Sequence, residues 1–120
     1  MVASIPVRQI RIDVPLRTTV AFLFVDRVHP GWSPWWSSLF EYLLELAPAD
    51  PEWKHEPVQD TYSARPKLTD EQRAAVISFL RTAPPSEIEG HRTLRRATEL
   101  SSDKIPRVEL VYFREPLDQS

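Results

Sequence analysis

The chain has 120 residues, 42% of them hydrophobic and 27% charged, which suits one compact domain with a core and is too short for two ordinary ones. A net charge of −2 argues against nucleic acid or an anionic membrane surface as partner, because both select for a basic footprint. The absence of cysteine excludes disulfides, thiolate nucleophiles and cysteine-ligated zinc.

No stretch approaches the ~18–20 apolar residues of a membrane span. The first residues, MVASIPVRQIRID, place arginines and an aspartate where a secretory leader needs an apolar run. The expectation is a cytoplasmic protein with no membrane contact. Arginine far outnumbers lysine and proline is abundant, a bias that GC-rich bacterial codon usage accounts for without any function.

In chain order, Ile10-Arg11-Ile12-Asp13-Val14 alternates apolar and charged residues, predicting a strand with one buried face. Pro6 and Pro15 bracket it, which points to an edge or short strand. Val20 to Val25 is continuously apolar and rich in β-formers, as expected of a strand covered on both faces. A hairpin around 15–18 joins the two. The segment HPGWSPWW, residues 29–36, then concentrates the aromatic content.

Ser33 followed by Pro34 predicts a helix start, with the helix running to Ala47 and stopping before Pro48. A proline-rich connector at 48–67 follows, with a turn at Asp50-Pro51 and a short strand near Val58 to Tyr62. It is long for an unstructured loop. Thr69-Asp70-Glu71-Gln72 is a capping-box pattern that opens a second helix, ended by Pro84-Pro85.

Arg92, Leu94, Arg96, Thr98 and Leu100 alternate loosely, so 91–100 reads as a strand turned at 101–104 onto Val108 to Phe113. The end at 116–120 is expected to fray. The predicted order is β-β-α-α-β-β. This implies a single α+β domain over 1–120, with a mostly antiparallel sheet of about four strands and two helices on one face.

The two helices differ. In the second, Ala75, Val76, Phe79, Leu80 and Ala83 span an arc of about 140°, as in an ordinary surface helix. In the first, Trp35, Trp36, Leu39, Phe40, Tyr42, Leu43, Leu44, Leu46 and Ala47 cover roughly 200°. One sheet face shelters little more than half of that arc, so the edge holding Trp36, Phe40 and Leu44 needs another cover. The candidates are the connector folding back with Trp53 and Tyr62, a second copy of the chain, or a different protein.

Two glycines are too few for a phosphate-cradling loop or a dinucleotide fingerprint. Asp26, Arg27 and His29 leave a strand beside the tryptophans, where an aspartate can orient an imidazole as general base. His55-Glu56, with His29 or His91, offers nitrogen and oxygen donors without helical spacing. The stretch 91–107 is basic but lacks the interleaved aromatics of single-strand binders.

The primary expectation is therefore a non-catalytic protein-interaction module, an accessory, regulatory or inhibitor-type subunit. It associates as a homo-oligomer or with a protein partner through Trp32, Trp35, Trp36, Phe40 and Leu44, with Glu41 and Glu45 as the polar rim. No cofactor or metal is expected. The alternative is a small enzyme or small-molecule binder with a tryptophan-lined pocket served by Asp26 and His29.

Overall fold

A computed structural model describes residues 7–27, 31–100 and 107–114. It is a small α+β fold in which a five-stranded antiparallel sheet carries its helices on one face. The strands are β1 (Val7–Pro15), β2 (Val20–Asp26), β3 (Lys54–Glu56), β4 (Thr61–Ala64) and β5 (Glu109–Arg114). The helices are α1 (Pro34–Glu45), α2 (Asp70–Leu80), α3 (Pro85–Gly90) and α4 (Arg92–Thr98). In space the strands run β2-β1-β5-β4-β3.

The alternation along β1 is borne out residue by residue. Ile10, Ile12 and Val14 are buried under the helices, with Leu23 and Val25 of β2 and Leu110 and Tyr112 of β5 beside them. Arg11 and Asp13 point to the opposite face, as the pleat requires. Tyr112 ties the layers together: its buried hydroxyl donates to the Leu43 carbonyl of α1 at 3.1 Å.

Local signals placed the helix starts correctly. Thr69 and Gln72 close both bonds of the capping box, satisfying two end groups of α2 at once. Ser33 is the N-cap of α1 with Pro34 in its first turn, although the serine side chain makes no capping bond. The connector contains the β3–β4 hairpin, paired from Lys54↔Ser63 to Glu56↔Thr61. The expected strand near 58–62 is thus displaced to 61–64, with the turn lying between.

Three expectations need correction. First, the segment 91–100 holds a helix over Arg92–Thr98 rather than a strand, and the Pro84-Pro85 stop also starts α3, with Pro85 in its first turn. His91 is the N-cap of α4, its ring nitrogen Nδ1 accepting from the Leu94 N–H at 3.2 Å, and Leu94 and Ala97 are buried at three-residue spacing. The supposed alternation therefore follows helical periodicity.

Second, among the described residues the helical layer holds four helices rather than two, and the sheet five strands rather than about four. Third, β1 is neither short nor at an edge, and β2, expected to be covered on both faces, exposes Val20, Phe22 and Phe24 on one of them. β1 is interior, paired to both β2 and β5, with Pro15 only at its end. Among the described residues β2 is an edge strand. The turn expected at 101–104 and the fraying expected at 116–120 fall outside the described residues.

Candidate functional site

The excess apolar arc of α1 is covered inside the chain. Trp36 is 2% exposed and Phe40 1%, with Leu39 and Leu43 fully buried. For Trp36 the cover is α3 and the start of α4. The Trp36 indole N–H donates to Glu87 of α3 at 2.8 Å, and its ring lies 5.5 Å from His91. Trp35 donates to the Thr82 hydroxyl at 3.0 Å and sits against Phe79, which also stacks on Tyr42 at 4.9 Å.

Of the proposed binding set, Trp36 and Phe40 are therefore core side chains. Trp32, Trp35 and Leu44 are half-buried, with Trp32 stacked 4.3 Å from Trp36. Glu41 and Glu45 are exposed on the outer side of α1. Trp53 and Tyr62, the connector aromatics, instead flank the Arg114 guanidinium at 5.1 and 4.9 Å.

Burial pulls the His91 imidazole below its ordinary value, an effect that the nearby Glu87 opposes. The same burial raises the Tyr112 hydroxyl, which stays protonated and acts as a donor. Neither group faces a cleft on the sheet's open side.

Asp26 follows the inward-facing Val25 and so points to the helix-free face, where Gln9 donates to it at 2.6 Å. The sheet thus separates it from Trp36, so the two do not share a pocket. Asp26 lines a shallow cleft of about 530 Å³ with Arg8, Arg11, Phe24, Gln59 and Arg114. His29, its supposed catalytic partner, lies outside the described residues.

The helix-free face divides into two zones. Over β1, β5 and β4 it carries charged side chains around Val111 and Phe113 of β5. Arg11 Nε lies 2.8 Å from Asp13, and Arg65 reaches Asp13 at 3.8 Å and Glu109 at 3.3 Å. Over β2 it is apolar: Val20, Phe22 and Phe24 are 51%, 47% and 40% exposed. Arg11 marks the boundary, its guanidinium 4.6 Å from the Phe22 ring.

The β2 backbone is open on the same side of the sheet. Leu16 N–H donates to Thr19 O at 2.8 Å, and Arg27 N–H donates to Arg8 O at 2.9 Å. These bonds frame the β1–β2 register. Odd-numbered residues of β2 therefore face β1, while Val20, Phe22, Phe24 and Asp26 direct N–H and C=O outward. Among the described residues no strand pairs with that side.

The opposite sheet edge is constructed differently. β3 is only Lys54-His55-Glu56, all polar and exposed, and short charged edges resist pairing. β2 has seven residues with no proline, no lysine and no charge before Asp26.

The exposed set Val20, Phe22 and Phe24 was missed by sequence reasoning, although a signal existed. The charged outward residues of β1 imply that this face meets water, and the hairpin register puts alternate residues of VAFLFV on it.

Among the described residues there is no group of three or more His, Cys, Asp or Glu placed to hold a metal ion, and no helix long and apolar enough to cross a membrane. No protein-family model, curated protein or solved structure matches the chain.

Proposed function

We propose that the chain is a non-catalytic protein-interaction module that associates through the open side of β2. The class of function is the one expected from the apolar arc of the first helix, but the surface is different, because α1 spends its bulkiest aromatics on its own core. The observation that carries this reading is the half-exposed Val20, Phe22 and Phe24 row beside outward-facing backbone groups. Contiguous apolar surface on a stable protein marks an interface, and an unguarded strand edge adds directional hydrogen bonding to it.

Charge supports the same choice. A partner laid over β1, β5 and β4 would have to desolvate the Arg11, Asp13, Arg65 and Glu109 cluster, which costs more than the pairing returns. A partner at the β2 edge leaves the remaining exposed part of that cluster as it is. The outer groups of α1, Glu41 and Glu45, are on a different part of the surface and contribute nothing to this docking.

Site-directed photocrosslinking tests the reading. With p-benzoylphenylalanine in place of Phe22, irradiation should produce covalent protein adducts. The same group in place of Lys54, on the guarded β3 edge, should produce none. A chain that stays uncrosslinked at position 22, or crosslinks equally at both, would remove the proposal.

A further inference from the structure

The occupant of the β2 edge follows from its pairing pattern, and resting on the interaction reading above, we infer that it is a second copy of this chain. Two β2 strands pair antiparallel about a two-fold axis at Leu23, joining the sheets into one. In an isologous contact each strand must be complementary to itself, and β2 meets that requirement in one register.

Outward backbone groups occur at Val20, Phe22, Phe24 and Asp26. An axis at Leu23 sets Val20 against the second copy's Asp26 and Phe22 against its Phe24. All outward groups are then used, in about eight hydrogen bonds across the seam. An axis at Phe22 brings Arg17 against the other copy's Arg27 and leaves Asp26 opposite Thr18, outside the strand. An axis at Phe24 leaves Val20 opposite residue 28, beyond β2. Only the Leu23 register avoids like charges and keeps every outward group within the strand.

Side chains agree with that register. Cross-strand aromatic pairs stabilise antiparallel ladders, and Phe22 and Phe24 would form two such pairs across the seam. Their rings are already 6.5 Å apart within one copy, so four rings make a continuous apolar strip. Unlike a face-to-face sandwich, this arrangement buries no further part of the Arg11, Asp13, Arg65 and Glu109 cluster.

The patch itself is small. Val20, Phe22 and Phe24 expose about 250 Å² together, against the roughly 800 Å² per partner of a standard interface. The dimer is accordingly a concentration-dependent one, in equilibrium with monomer.

The Leu23 register makes a sign-specific forecast at Val20, which is half exposed at the strand end and tolerates substitution. Val20→Lys places a cation opposite the second copy's Asp26, twice by symmetry. Val20→Asp places an anion there. Sedimentation equilibrium on the full chain, up to roughly millimolar concentration, should find a monomer–dimer equilibrium. Val20→Lys should tighten it and Val20→Asp weaken it, each by about fivefold, with far-UV circular dichroism unchanged.

A wild-type chain that stays at 13.9 kDa throughout would overturn self-pairing, as would a dimer that the two substitutions shift in the same direction or not at all. A monomeric wild type whose position-22 crosslinks reach a different protein sinks this inference while sparing the broader one. Absence of any crosslink at position 22 sinks both.

Discussion

Replacing Trp36 by alanine separates a core role for α1 from an interface role. The side chain is 2% exposed, ringed by Trp32 at 4.3 Å, Trp35 at 5.0 Å and His91 at 5.5 Å. Truncation removes roughly 150–200 Å² of buried apolar surface, or about 4–5 kcal/mol at ~25 cal/mol per Å². The lost bond to Glu87 adds about 1 kcal/mol. Residual burial in the denatured chain subtracts from the total, leaving about 4 kcal/mol, within the range for such truncations.

Urea unfolding followed by far-UV circular dichroism should show a midpoint shift of that size at constant slope. Phe22→Ala, on the half-exposed edge, should cost less than about 1 kcal/mol. A Trp36→Ala chain as stable as wild type would refute the packing described for α1, because no buried indole of this kind is lost for free.

Three further outcomes are expected. Thr69→Ala breaks the capping box of α2 and should cost about 1 kcal/mol in the same unfolding assay. Tyr112→Phe removes the bond to the Leu43 carbonyl, which still accepts from Leu46 N–H at 3.2 Å, so the loss should stay near 1 kcal/mol. His91, held below its ordinary 6.5, takes up a proton in the unfolded chain at higher pH than in the folded one. Stability should therefore be fully present above about pH 6.5 and decline as pH falls through the lowered folded value, and His91→Asn should flatten that decline in pH-dependent thermal melts.

What the sequence made legible was mostly local. A capping box, a serine-proline helix start and the alternation of Ile10, Ile12 and Val14 are each written within a few residues, and each appears in the fold. The errors trace to long-range pairing. Insertion of β5 beside β1 is what makes β1 interior and β2 an edge, and nothing in 7–26 encodes that choice. A continuous apolar run looks the same whether its second face is covered by its own chain or by another.

The misread segment 91–100 has a different origin. Its polar and apolar residues satisfy periods of two and of three to four almost equally, and its N-cap is a histidine rather than one of the usual capping residues. Losing α3 and α4 from the expected fold removed the very helices that shelter Trp36. The apparent surplus of apolar surface on α1 followed from that loss, and the true surplus lay on β2.

Residue-resolved amide hydrogen exchange over a dilution series examines the open β2 edge most directly. In dilute solution the amides of Ala21, Leu23 and Val25, bonded to β1, should exchange slowly, and those of Val20, Phe22, Phe24 and Asp26 should exchange fast. On concentrating the chain, the second group should become protected while the first stays as it was. Equal protection of both groups in dilute solution would mean the edge is closed within one chain, and fast exchange of the second group at every concentration would mean no second copy pairs with it.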